Sequence, residues 1–268
     1  MNDSISLARD LRVLALKMVA SSSSSHIGSA LSIADVVAVL FSDVLVFQEE
    51  DPGFSGRDRF ILSKGHACSI VYAALHKVGW LSEADLRTYG VDFSNLMTHI
   101  SHKIPGVEFS SGSLGHGLPF ACGKALYAKM HDCSWKTFVI VSDGELNEGS
   151  NWEAFMFGAH HNLDNLTVLI DYNKLQSLGA VSSTLGIEPL VRKLESFGWA
   201  VTEVDGHNHS DLRVALASAP FQTGKPSVMV MHTTKGKGVS FMENQVSWHY
   251  RSPSREELKM ALLELSVA

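Results

Sequence analysis

A chain of 268 residues, 45% hydrophobic and carrying 21 glycines and 13 histidines, is long enough to bury a full core and suits one large α/β domain. Its 22 basic and 28 acidic residues leave a formal charge of −6, which excludes the basic field needed to bind a nucleic-acid duplex or an anionic membrane. Cys68, Cys122 and Cys133 are an odd number without a C-x-x-C spacing; they offer neither a disulfide framework nor a zinc site and point to a reducing, cytoplasmic setting.

In chain order, Leu7, Leu11, Leu14 and Met18 recur at helical spacing, so the chain opens on an amphipathic helix. No apolar run reaches the roughly eighteen residues of a membrane span, and no targeting peptide is legible. "SSSSSHIGSALS" reads as a loop leading into a helix over "IADVVAVLFSDVL". Five times after that, a β-rich apolar run gives way abruptly to glycine and polar residues: "RFIL" into "SKGH", "TFVIV" into "SDGELNEG", "LTVLI" into "DYNK", "WAVTEV" into "DGHNH", and "SVMVM" into "HTTKGKG". Helical stretches such as "HACSIVYAALHKV" and "NWEAFMFGAHH" separate several of them; in the second, Trp152, Phe155, Met156 and Ala159 share a face. This alternation predicts an α/β fold, a doubly wound and mostly parallel sheet with helices on both faces and right-handed crossovers. In such a sheet the ligand crevice lies along the carboxyl ends of the strands, so the five polar segments should converge.

"SDGELNEG" holds three acids and no Lys or Arg. One reading is a solvated turn, because Asp-Gly is a common turn pair. The other supplies the counter-charge from outside the protein. Asp143 and Asn173 both stand just past a strand, thirty residues apart, about one βαβ crossover. A carboxylate, an amide oxygen and a backbone carbonyl form a hard, oxygen-only set suited to Mg²⁺ or Ca²⁺, and magnesium completes its octahedron with phosphate oxygens and water. Gly144 lets backbone N–H groups approach such a phosphate.

The form "SDGELNEG…DYNKLQ" resembles the thiamine diphosphate motif of transketolase-like enzymes. "SKGHACSIVYAAL", "THISHKIPGVEFSSGSLGHGL" and "HTTKGKG…SWHY" resemble three further transketolase blocks in the family's order. The resemblance runs from His26 to Tyr250 and covers only the amino-terminal, diphosphate-binding (PP) half, so all of 1–268 is expected to be that domain, with the pyrimidine-binding and carboxy-terminal domains on another polypeptide. It implies one half of a split transketolase that transfers a two-carbon ketol unit, with thiamine diphosphate and Mg²⁺ (or Ca²⁺) as cofactors and an α₂β₂ assembly with the carboxy-terminal subunit. Carried over residue by residue, it implies that Asp143 and Asn173 ligate the metal by side chains and Leu175 by its carbonyl. Gly144 and Asn173 then lie at the diphosphate, with His66 and His249 near it, and Gly112, Ser113 and Leu114 against the aminopyrimidine. His26, His99 and His249 surround the donor sugar, where side chains titrating near neutrality can move protons. Glu148 and Glu153 match acids at the contact between subunits, where a glutamate of the partner is supported. Ser142 departs from the usual Gly-Asp-Gly, Ser25 and Ile27 flank His26 where Gly and Pro are common, and His116 stands where Gln is frequent; none removes a metal ligand.

Other residues have plainer readings. His160 and His161 end a helix and favourably meet its dipole, while His102, His131, His207, His209 and His232 read as surface or structural side chains. Met229 and Met231 are strand core. A P-loop is excluded, because neither "GLPFACGKAL" nor "TKGKGVS" fits G-x-x-x-x-G-K-[ST]. The alternatives left are a non-catalytic subunit, or another thiamine diphosphate enzyme such as a deoxyxylulose phosphate synthase or a 2-oxo acid dehydrogenase.

Overall fold

The computed structural model describes residues 3–267. Five parallel strands form one sheet: β1 (Arg59–Leu62), β2 (Thr137–Ser142), β3 (Leu166–Tyr172), β4 (Ala200–Asp205) and β5 (Ser227–His232), in the spatial order β1-β2-β3-β5-β4. Each predicted apolar run is a strand. The runs of β1, β2, β3 and β5 are continuous because both faces of the sheet are buried there, while the edge strand β4 is half-buried and alternates with polar residues. Phe60, Leu62, Phe138, Ile140, Leu169, Met229 and Met231 face one helical layer, and Ile61, Val139, Val141, Val168, Ile170, Val228 and Val230 face the other, the period-2 alternation of a pleated strand.

The helices are α1 (Ser4–Ser21), α2 (Ile27–Ser32), α3 (Ala34–Val39), α4 (Cys68–Lys77), α5 (Glu83–Leu86), α6 (Gly117–Met130), α7 (Gly149–His160), α8 (Val181–Thr184), α9 (Leu190–Ser196), α10 (His209–Ala217) and α11 (Arg255–Val267). The first layer is built from α1 to α4 with α10 and α11, the second from α6, α7 and α9. Asp3 caps α1, its carboxylate accepting the Ser6 N–H at 2.8 Å, and the predicted stripe of Leu7, Leu11 and Met18 is buried. Each such side chain removed from water contributes roughly 1.5–3 kcal/mol. Among the described residues no helix is long and apolar enough to cross a membrane.

Two elements differ from expectation. The segment read as a loop over 21–32 contains a short helix, α2, and the helix foreseen over 33–45 follows from Ala34 and passes into a π-helix over Leu40–Val44. Ile27, Ala30 and Leu31 of α2 are fully buried, which holds a helical turn in a segment whose serines suggest a loop, and Ser32 turns its hydroxyl toward Asp171 at 2.7 Å. On α7 the predicted shared face splits, with Phe155 buried against Trp199 at 5.1 Å between ring centroids and Met156 54% exposed. One residue on a helix is a turn of about 100°, enough to carry Met156 past the edge of the core stripe.

Candidate active site

Four strand ends place chemistry along one sheet edge. β1 runs into Ser63, Lys64 and His66; β2 delivers Ser142 and Asp143; β3 delivers Asp171 and Asn173; β5 runs into Thr233 and Lys235. Close approach of the connecting loops requires glycine at two points. A Cβ on Gly65 would overlap Ser111, and one on Gly117 would lie 2.7 Å from the Ser63 Cα. The cavity between them, about 230 Å³, is lined by His26, His66, His99, His249, Gly112, Leu114, Asp143, Gly144, Asn173 and Leu175, all foreseen, together with Ser29, Lys64, Ser142, Gln176, Ser177 and Lys235. A larger hollow of about 470 Å³ between Trp80 and Pro105 contains none of these strand-end groups.

One wall is anionic and bonded through the backbone. Asp143 accepts the N–H of Gly144 at 2.7 Å and that of Lys174 at 2.5 Å. Asn173 donates its amide to Asp171 at 2.9 Å and accepts the Leu175 N–H on Oδ1 at 3.0 Å, which fixes which way the amide points. Asp171 is fully buried and also takes the Lys64 ammonium at 2.5 Å, the Ser32 hydroxyl at 2.7 Å and the Thr233 hydroxyl at 2.5 Å. Its charge is matched by Lys64. Asp143 has no ion-pair partner among the described residues, and burial together with the Asp171 charge raises its carboxyl to about 7. A buried carboxylate without a protein cation is costly, and one carboxylate, one amide and the Leu175 carbonyl form an oxygen set that fits a hard divalent ion. Among the described residues no trio of His, Cys, Asp or Glu is placed to hold a metal, so softer ligation has no site there.

The complementary charge lies across the cavity. Lys235 is 1% exposed, its ammonium 3.3 Å from both the Leu175 carbonyl and His249 Nδ1, with no carboxylate partner among the described residues. Burial and the neighbouring Lys64 push it down to about 8. An unpaired buried cation beside an unpaired buried carboxylate suits a ligand that carries both charges, a cation bound to a phosphate. Sequence reasoning misses Lys64, Lys235 and Asp171; the lysines stand in plain view in "SKGH" and "HTTKGKG", but nothing in one chain's sequence says that they turn inward.

The remaining wall is imidazole. His26 lies 5.1 Å from His66, 5.6 Å from His99 and 4.8 Å from His249 between ring centroids, and His66 lies 5.4 Å from His249. His26 adopts the left-handed conformation, φ +74°, a strained geometry for a residue with a Cβ. Its N–H donates to the His249 carbonyl at 3.0 Å and its own carbonyl accepts from Ser29 and Ala30, opening α2. The rings do not titrate near neutrality as expected. Burial, then the neighbouring His99 and Lys235 charges, lower His26 to about 4; burial, then Lys235 and His26, lower His249 to about 3; burial and Lys64 hold His66 well below its ordinary value, and burial lowers His99. At pH 7 His26 and His249 are neutral, and a neutral ring presents one donor and one acceptor.

Ser113, Glu148, Glu153 and His116 lie outside the cavity lining. Glu145, which sequence reasoning passes over, is buried and ties the site together: it accepts the Gly115 N–H at 2.8 Å, the Ser142 N–H at 3.2 Å and the Ser63 hydroxyl.

The family described as "Transketolase, thiamine diphosphate binding domain" matches residues 4–265. The chain is 37% identical over 251 residues to an apulose-4-phosphate transketolase subunit of Phocaeicola vulgatus, covering 94% of this chain and 89% of that protein. It is 36% identical over 259 residues to a 6-deoxy-6-sulfo-D-fructose transketolase subunit of a Clostridium species, covering 96% and 94%. Among solved structures, the transketolase of Leishmania mexicana superposes with a TM-score of 0.93 at 32% identity, over 99% of this chain and 42% of that one. The chain thus spans about two fifths of that longer enzyme.

Proposed function

The chain belongs to the transketolase family, as its thiamine diphosphate-binding domain, and from that premise we propose that it is the amino-terminal subunit of a split transketolase. It moves a two-carbon ketol unit from a ketose to an aldose, and it acts with a carboxy-terminal subunit. The observation that carries this reading is the pair of unmatched buried charges, Asp143 and Lys235, in a cavity walled by four imidazoles.

In this reading Asp143, Asn173 and the Leu175 carbonyl hold Mg²⁺ or Ca²⁺, and Lys235 and the Gly144 backbone stand against the diphosphate, with Gly112, Ser113 and Leu114 toward the aminopyrimidine. Bound thiamine diphosphate supplies the electron sink for the pair released when the ketose carbon–carbon bond breaks. The protein's own part is placement and proton traffic. His26, His66 and His99 can accept from a sugar hydroxyl on one nitrogen and donate to a carbonyl or hydroxyl on the other, while His249, whose Nδ1 faces the Lys235 ammonium, offers its Nε2–H as a donor. Their burial excludes water while they do so.

The relatives' names carry the substrate class a step further. One is named for a sugar phosphate and the other for a sulfo sugar, so the donor is a ketose with a terminal anionic group. Lys64 and Lys235 are the cations of this cavity, and both are committed to its inner wall; the terminal anion is therefore held by the partner. Glu148 and Glu153, on or beside α7, support the partner's glutamate in an α₂β₂ assembly. The free thiols suit a reducing cytoplasm.

Two measurements test the reading. The isolated chain should turn over no ketose and gain activity when its carboxy-terminal partner is added; turnover by the chain alone overturns the split. In the assembled enzyme, Asp143→Ala should weaken Mg²⁺-dependent thiamine diphosphate binding by more than about tenfold with the circular dichroism unchanged; unaltered affinity in calorimetry removes the metal site.

A further inference from the structure

Beside the cavity, past the end of the edge strand β4, lies a further buried carboxylate. Asp35 on α3 accepts Arg12 Nη1 at 3.0 Å and Nη2 at 2.5 Å. It also meets His207 Nδ1 at 2.7 Å and His209 Nε2 at 3.1 Å. The knot reaches the segment after β5 twice. Arg12 Nε donates to the Lys237 carbonyl at 3.0 Å, and the Thr234 N–H donates to His207 Nε2 at 2.8 Å. That last bond assigns the ring's proton. Nε2 is the acceptor, so Nδ1 carries the hydrogen and donates to Asp35.

Thr234 sits between two residues of the site. Thr233 gives its hydroxyl to Asp171, the carboxylate that orients Asn173, and Lys235 is the unpaired ammonium. No carboxylate among the described residues holds the Lys235 head, which meets the Leu175 carbonyl and His249 Nδ1 at a long 3.3 Å, and the backbone that carries it is fixed by the Gly236 N–H on the Gly28 carbonyl at 2.9 Å, the Arg12 bond at Lys237, and the His207 bond at Thr234, immediately before the lysine. We propose that His207 is a positioning residue, whose neutral ring, aligned by Asp35, accepts the Thr234 N–H and so sets the Lys235 ammonium for an incoming diphosphate. The inference rests on reading the cavity as a diphosphate site.

The geometry separates the ring's two bonds. Glutamine at 207 can set an amide oxygen where Nε2 accepts from Thr234, whereas asparagine reaches only the Nδ1 position and replaces the donor to Asp35. The test uses the whole chain, inorganic pyrophosphate with Mg²⁺ in calorimetry, and hydrogen exchange read at the Thr234 amide. His207→Ala and His207→Asn should lose about tenfold in pyrophosphate affinity and exchange Thr234 faster, while His207→Gln should stay within about twofold and keep Thr234 protected. Wild-type affinity in the Asn variant, or a loss in the Gln variant as large as in Ala, overturns the proposal. Amides of β3 report on the fold, and if the Ala variant loses their protection the Asn and Gln pair carries the decision. Absence of pyrophosphate binding by the wild type would instead remove the cavity reading, and unchanged Thr234 exchange across the series would remove the role of His207 by itself.

Discussion

Asp143 and Asp171 stand at the ends of neighbouring strands, and their different partners give them different chemistry. Asp171 and Lys64 are both fully buried and paired, so Lys64→Met alone should cost about 3–5 kcal/mol in urea unfolding, because it strands a buried carboxylate. The double variant Lys64→Met, Asp171→Asn should recover most of that loss; if it is no better than the single variant, the pair is not what balances the charge. Asp143 behaves in the opposite sense to an ordinary salt-bridged acid. Its folded value, about 7, lies above the ordinary 3.8, so in metal-free protein its contribution to stability is present below about 4 and lost as pH rises through about 7. Asp143→Asn lacks that dependence, and its Tm relative to the wild type in a chelating buffer should rise between about pH 5 and pH 8. A constant offset would mean that the carboxyl titrates normally. His26 and His249 run the other way, their folded values lying below 6.5: their contribution is present above 6.5 and lost as pH falls toward 4. At this scale the sequence exposed Asp143 and Asn173 because each sits in a polar segment just past a strand, and the four imidazoles because they match the blocks that resemble transketolase. It hid Asp171 because an acid where an apolar run ends reads as a solvated turn, and it hid Lys64 and Lys235 because lysine beside glycine reads as solvated surface.

The elements were legible wherever burial imposed a period. All five strands stand where apolar runs end in glycine and polar residues, and α1, α4 and α7 follow helical spacing. What failed was one short helix and one facing: α2, inside the serine-rich segment, and the outward turn of Met156 depend on tertiary neighbours that local spacing does not encode. Loop packing was equally hidden. The 111–117 segment is pinned by Ser111 on the Leu62 carbonyl at 2.7 Å, by the Gly117 N–H on Ser63 at 3.1 Å and by Glu145 on Gly115. Gly117 has no positive φ, so alanine there is conformationally allowed and its penalty is contact alone. Gly117→Ala should destabilise by about 1–3 kcal/mol and weaken cofactor binding, since the loop carrying Gly112 and Leu114 must shift. Unchanged urea midpoint and affinity together would mean that the loop yields without cost.

For the molecule as a whole, the uneven distribution of exposed apolar side chains is informative. Tyr127 and Met130 on α6, and Met156 and Phe157 on α7, project from the outer layer, and the two helices are joined at their ends by Lys129 on the Asn162 carbonyl at 2.6 Å. Glu148 and Glu153 lie on or beside the start of the same α7. Exposed apolar side chains on two helices packed together are candidates for an interaction site, and under the split-subunit reading this is where the carboxy-terminal partner docks, on the side that carries the two acids. Met156→Glu should therefore raise the dissociation constant of the assembled enzyme by at least about tenfold in sedimentation while leaving the isolated chain's unfolding within about 0.5 kcal/mol. Val214 on α10 is also exposed but belongs to the opposite layer, so Val214→Glu serves as the control and should change neither. If Met156→Glu leaves assembly intact, or if Val214→Glu disrupts it equally, the partner sits elsewhere and the α6–α7 face has another occupant.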